Sequence, residues 1–293
     1  MRRISLIHPR TAGFVLLLLS ASAGAQTDLL RDLARLQKET NAERHEALAA
    51  LLKERGIPFE VQAFDGASGA GSNFLVAFGS GRREIVVGAH YDAVKLKDGR
   101  LSRGMVDNGA GVMALAGLAQ ALRNRPLRHR VRIAFFDREE TGLVGSKSYI
   151  AAHPGEIAAA VNVDIMAYGN AFPYGGGKKE GSAPLYRALQ RVCAARRLAC
   201  LEFPAFPPGD DRSFEAAGIP NLSLGMLPEV EAHQLWLLLN GGKESGLREG
   251  FLPSVLHHIH SPEDTLDQVE PAAVEKASGV LLDLVTELDA TLD

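Results

Sequence analysis

Carboxylates and histidines collect just past three apolar runs of this chain, a placement suited to holding divalent cations. Ile85 to Ala89 leads into His90-Tyr91-Asp92, Val131 to Phe136 into Asp137-Arg138-Glu139-Glu140, and Ala158 to Val163 directly into Asp164. Between the first two lies Asp107-Asn108-Gly109-Ala110-Gly111, and near the end His258-Ile259-His260-Ser261-Pro262-Glu263-Asp264-Thr265 offers imidazoles in a loop. Each has a plain reading by itself. Asp107 could cap the helix after it, Glu139-Glu140 could be an exposed acidic helix start, and a histidine is more often structural than a ligand. Together they would crowd one sheet edge with negative charge, which repels unless a cation sits among it. Mixed imidazole and carboxylate donors suit zinc, with cobalt or manganese as alternatives. In an extended segment His258 and His260 fall on the same side, so spacing leaves both open as ligands.

Such groups need a sheet edge to meet on. The three runs are continuously apolar instead of alternating, which marks strands buried on both faces, and in open α/β sheets function gathers past the carboxyl ends of strands. Helical patterns lie between and after them, at Gly109 to Leu122, Gly145 to Ala152, Ala183 to Ala195 and Ala272 to Leu288. Leucines spaced for one apolar face make Thr27 to Arg55 helical, with Gly56 as the stop. Val61 to Phe64 and Phe74 to Phe78 read as strands around a turn at Gly66 to Ser72, with further strands near Cys200 and at Ile219 to Leu224. Phe203 to Pro208 and Leu227 to Phe251 read as excursions from the core. Alternating strands and helices imply one domain whose single sheet is sandwiched by helices.

At these residues the chain resembles the co-catalytic di-zinc aminopeptidases, the group containing bacterial leucyl aminopeptidase and aminopeptidase Y and related to glutamate carboxypeptidase and glutaminyl cyclase. The segments that carry the likeness are Gly88-Ala89-His90-Tyr91-Asp92, Asp107-Asn108-Gly109-Ala110-Gly111, Phe136-Asp137-Arg138-Glu139-Glu140-Thr141-Gly142, Asn162-Val163-Asp164 and Ile259-His260-Ser261-Pro262-Glu263-Asp264-Thr265, in the family's order. The resemblance implies an α/β zinc-exopeptidase (phosphorylase/hydrolase-like) domain with a mixed, mostly parallel central sheet. It implies two zinc ions bridged by Asp107, with His90 and Asp164 completing one site and Glu140 and His260 the other. His260, not His258, stands where the family places its ligand. Glu139 would be the general base, and Asp92 would orient His90. The implied activity is removal of the N-terminal residue from peptides with a free N-terminus. Looser matches make Tyr168 an oxyanion contact and Asp210 and Asp211 substrate contacts, although relatives often carry His where Asp211 stands. Trp236 reads as core packing or as a pocket or lid residue. The rival activities are a dipeptidase or carboxypeptidase, with Arg103 or Arg212 as carboxylate binder, a single-zinc glutaminyl-cyclase-like acyltransferase, and a non-catalytic binding module.

The rest of the composition bounds where the protein works. The 293 residues are 46% hydrophobic and 23% charged with a net charge of −3, so no basic surface points to nucleic acid or anionic membrane. Residues 1–25 have the layout of a secretory signal: Arg2, Arg3 and Arg10, the apolar run Phe14 to Leu19, then Ala23-Gly24-Ala25. That run is far shorter than the roughly 20 residues of a membrane span. Its removal would leave residues 26–293 as an exported periplasmic or secreted domain with a charge near −6 and no transmembrane segment. In an oxidising compartment Cys193 and Cys200 could form a disulfide; the alternative is two small buried hydrophobes. The sequence does not address oligomeric state.

Overall fold

The computed structural model describes residues 26–66, 69–177, 179–242 and 252–292; the signal segment lies outside them. Eight strands form one sheet: β1 (Glu60–Gly66), β2 (Gly69–Phe78), β3 (Glu84–His90), β4 (Arg130–Phe136), β5 (Ile157–Val163), β6 (Phe172–Gly175), β7 (Cys200–Glu202) and β8 (Asn221–Leu224). Their order across the sheet is β1-β2-β4-β3-β5-β8-β6-β7. The central pairs β4/β3, β3/β5 and β5/β8 are parallel, as is β6/β7, while β1/β2, β2/β4 and β6/β8 are antiparallel. The sheet is thus mixed and mostly parallel, as expected.

The helices are α1 (residues 26–34), α2 (Asn41–Glu54), α3 (Ala110–Leu122), α4 (Val144–Ala152), α5 (Lys179–Arg196), α6 (Asp211–Ala216), α7 (Glu229–Asn240), α8 (Val255–His258) and α9 (Pro271–Thr291). Every residue of β3 and β5 is buried, as continuous apolarity requires. Alternate side chains serve opposite faces. Ile85, Val87 and Ala89 join the larger core with residues of α1, α2, α3, α5 and α9, whereas Val86 packs with Tyr149 of α4 and Phe214 of α6. The sheet is therefore covered on both sides.

Three expectations need correction. Residues 27–55 are not one helix: α1 ends at residue 34, and Thr40 starts α2 with a reciprocal cap. Its Oγ1 accepts from Glu43 N at 3.1 Å while Glu43 Oε2 accepts from Thr40 N at 3.1 Å. Leu227 to Phe251 is not a loose excursion over its described part, because α7 packs Ala232 and Leu235 into the main core. The turn after β1 is tighter than Gly66 to Ser72, since β2 already begins at Gly69. Cys193 in α5 and Cys200 in β7 are joined as a disulfide. No helix of the described residues is long and apolar enough to cross a membrane.

Candidate metal centre

Because β3 runs parallel to β4 and β5, the segments that follow all three emerge on one edge. His90, the last residue of β3, is buried with Nε2 2.9 Å from Asp107 Oδ1 and 3.7 Å from Asp164 Oδ1. The other oxygen of Asp107 lies 3.2 Å from His260 Nε2, which is also 3.2 Å from Glu140 Oε2. Two groups able to hold a metal ion result, His90 with Asp107 and Asp164, and Asp107 with Glu140 and His260, each with donor atoms within 4.8 Å of one another. Asp107 belongs to both and turns one oxygen toward each imidazole.

The backbone is shaped to this end. Asp107 and Asn108 interrupt the turn Met105–Gly109 with non-helical angles and are joined by a cis peptide bond. The amide of Asn108 donates to Val163 O at 2.7 Å, tying this turn to the end of β5. Gly111 must lack a side chain, because a Cβ there would stand 2.1 Å from Asn108 Oδ1. Among the described residues five non-glycines have left-handed φ; Arg138 precedes Glu139, Ile165 follows Asp164, and His260 is itself one of them. Each such position costs roughly 1–3 kcal/mol, and they persist where surrounding structure over-determines a functional geometry.

Asp92 backs the site. Its carboxylate is 3.4 Å from His90 Nδ1 and accepts the amides of Glu139 at 3.0 Å and Glu140 at 3.3 Å. His90 Nδ1 also lies 3.2 Å from the Asp92 main-chain O, so one residue, through its carbonyl and its carboxylate, supports both the imidazole and the turn that carries the two glutamates.

Burial and crowded carboxylates dominate the electrostatics of this edge. Burial pushes Glu139 up to about 9, with the neighbouring Asp210, Asp164 and Glu140 charges adding to it. Burial likewise raises Glu140 and Asp164, and brings Asp210 to about 7. Hydrogen bonds to Asp107 and Glu140 lift His260 to about 10. Burial opposes charge on both His90 and Asp107, yet their mutual contact and their other partners hold His90 well above the usual imidazole range and Asp107 well below the usual carboxylate range. Glu140 Oε1 and Asp164 Oδ1 are buried with no hydrogen-bond partner. Buried polar atoms are rarely left so. Two imidazoles and three carboxylates, two of them with an orphaned oxygen, fit a divalent transition-metal ion.

Not every expected residue joins this centre. His258 turns away: its ring packs edge-on to Tyr168 at 5.8 Å, because α8 reverses the alternation that an extended segment would give. The Tyr168 hydroxyl donates to Glu231 at 3.1 Å. Asp210 lies beside the centre, 1% exposed, with both oxygens unpartnered; the nearby Ser146 hydroxyl engages Ser213 at 2.7 Å and Leu143 O at 3.2 Å. Asp211 folds back on its own loop, accepting from Gly209 N at 2.9 Å. The indole of Trp236 donates to Glu202 O at 3.0 Å and packs on the core. Arg103 and Arg212 pair with Glu39 and Glu215, at 2.9 and 2.8 Å. Two buried charges lie behind the Asp107 turn: Arg44, which escaped the sequence reading, and Asp264, which stood in the quoted 258–265 segment without a role. Arg44 left a signal: it stands four and seven residues before Leu48 and Leu51, on the buried stripe of α2.

Fold and site define an α/β protein with side chains able to hold metal ions gathered at the carboxyl edge of its sheet. The chain belongs to peptidase family M28, whose model matches residues 73–285. It is 31% identical over 219 residues to the probable lipoprotein aminopeptidase LpqL of Mycobacterium tuberculosis, covering 67% of this chain and 41% of that one. The chain spans less than half the length of this curated relative. Its fold is similar to BSAP, a zinc aminopeptidase from Bacillus subtilis, with a TM-score of 0.59, 18% identity and coverage of 75% of this chain and 50% of that one. It is also similar to Porphyromonas gingivalis glutaminyl cyclase, with a TM-score of 0.68, 18% identity and coverage of 92% and 97%.

Proposed function

We propose that this protein is an exported zinc aminopeptidase working with two ions. The observation that carries the reading is the shared carboxylate: Asp107 presents Oδ1 to His90 and Oδ2 to His260, so two ligand groups meet at one residue. His90, Asp107 and Asp164 would hold one zinc, and Asp107, Glu140 and His260 the other. When bound, the ions supply Lewis acidity toward water and the scissile carbonyl, and their charge favours the carboxylate form of Glu139. Glu139 then takes the proton of the attacking water on its carboxylate and delivers it to the departing amine. Asp92 holds the Glu139 amide and the His90 ring, so base and ligand keep a fixed relation.

Asp210 favours cleavage at the amino end. A buried carboxylate with two free oxygens beside the reacting centre recognises a cation, and the substrate's N-terminal ammonium is one. A carboxypeptidase would need a basic side chain there, and Arg103 and Arg212 are engaged elsewhere. The signal layout and the disulfide support export.

Aminoacyl p-nitroanilides and their N-acetylated counterparts, assayed with and without a chelator, test this reading. Chelator-sensitive hydrolysis confined to free amines is the expected result. Equal cleavage of blocked substrates would remove the aminopeptidase assignment, and a stoichiometry of one zinc would favour cyclase-type acyl transfer.

A further inference from the structure

Arg44 is fully buried, yet the hydrogen bonds it makes run to backbone carbonyls. Its Nε donates to Tyr91 O, Nη1 to Leu36 O at 2.9 Å and Arg103 O at 2.8 Å, and Nη2 to Gly104 O at 2.6 Å. Tyr91 lies between His90 and Asp92, and Gly104 opens the turn that carries Asp107. One guanidinium therefore ties the strand end bearing the first imidazole to the segment bearing the shared carboxylate. Gly104, at φ +60°, leaves it room; a Cβ there would stand 3.1 Å from Nη1 and 2.9 Å from the Ala93 side chain.

Asp264 grips the same segment from the other side. Its Oδ1 accepts the amides of Met105, at 2.7 Å, and Val106, and its Oδ2 accepts that of Asp107 at 3.3 Å. Arg44 holds the carbonyls of residues 103 and 104 and Asp264 the amides of 105 to 107, so four consecutive peptide groups are fixed by two buried charges. Asp264 comes from the His260 loop, which binds the second ligand group into the same framework. Burial lowers the Arg44 pKa to about 10, and the negative charges of Asp264, Asp92, Asp107 and Glu140 offset that burial in part.

We propose that Arg44 and Asp264 form a clamp that sets the relation of Asp107 to His90 and His260 and thereby the zinc affinity of the site. They are positioning residues, since neither belongs to the two candidate ligand groups and both act through the backbone that carries Asp107. The inference rests on the metal reading above.

The test is zinc titration of the metal-stripped protein against a chromophoric chelator, with far-UV circular dichroism and thermal melting of each metal-free variant. Arg44→Lys supplies a cation without the planar fork, and Asp264→Asn keeps shape while placing an amide donor against backbone N–H groups. Both should weaken zinc binding by about 10–100-fold while keeping the wild-type far-UV spectrum, the range seen when groups that orient ligands are lost. Arg44→Met should be weaker than Arg44→Lys. Glu84→Gln, in a buried ion cluster at the opposite end of β3, should lower the melting temperature yet leave zinc affinity within about twofold of wild type. The clamp is overturned if folded Arg44 or Asp264 variants bind zinc like wild type, or if Glu84→Gln weakens binding as much as they do. Should the Arg44 variants not fold, Asp264→Asn decides alone by the same criterion. A wild-type protein that takes up no zinc overturns the metal reading and this inference together.

Discussion

At the start of β3, Glu84 is wholly buried and met by Arg132 at 2.9 Å, by Arg130 at 3.2 Å and by the Tyr149 hydroxyl. Burial alone would raise its pKa, but these partners hold it below the usual carboxylate range. At the other end of the same strand, roughly 20 Å away by strand rise, buried oxygens of Glu140, Asp164 and Asp210 have no partners, and burial raises all three groups. One protein thus encloses charge in two ways. Where the chain supplies its own counter-charge the cluster is complete and serves stability. Where it does not, the missing charge must come from outside, and that is where chemistry is found.

Several substitutions would break or sharpen this contrast. Glu139→Gln should cut kcat by about 10²–10⁴ with zinc content unchanged by atomic absorption; near-normal turnover would strip Glu139 of its role as base. Glu84→Gln should cost about 3–5 kcal/mol of stability in a denaturant melt, and kcat/KM per folded molecule should stay as it was. Asp210→Asn should lower kcat/KM for free-amine substrates by about 10–100-fold, the worth of hydrogen bonds to a charged group, and shrink the preference over N-acetylated ones; an unchanged preference would place ammonium recognition elsewhere.

The smallest effect is on pH dependence. Glu139 and Asp210, raised in the metal-free fold, bind protons more tightly there than in the unfolded chain, so their contribution to stability falls as pH rises from about 4 through about 7 and 9. His260, raised to about 10, contributes stability below about 6.5 that is lost as pH climbs toward 10. All three act in one direction. The chelated protein should therefore melt at a lower temperature at pH 9 than at pH 5, and zinc should narrow that gap.

Part of this edge is legible in the sequence, because the candidate ligands His90 and Asp164 come immediately after apolar runs that read as inner strands. Val163-Asp164 and Ala89-His90 are the clearest cases: complete burial gives way to a donor within one residue. The other features depend on contacts distant in sequence. Arg44 reads as one more charge on an amphipathic helix until carbonyls from residues 36, 91, 103 and 104 close around it. β6, only four residues with Pro173 inside, is a strand because β7 and β8 flank it. His258 closes the short helix α8 and His260 follows it with a left-handed φ of 54°, a change of direction that spacing in an extended chain could not foresee. The break between α1 and α2 was the readable omission, since Thr40 with Glu43 is a cap signature.

The two imidazoles differ in one more respect: the His90 side chain is 3% exposed and that of His260 54%. On the two-ion reading proposed above, His260 is the ligand that solution reaches most readily, so an ion held at this outer position would exchange faster than one held by His90. Trace-metal supply in the surrounding medium would then tune occupancy of the outer position first, giving the protein a graded response to scarcity in place of abrupt loss.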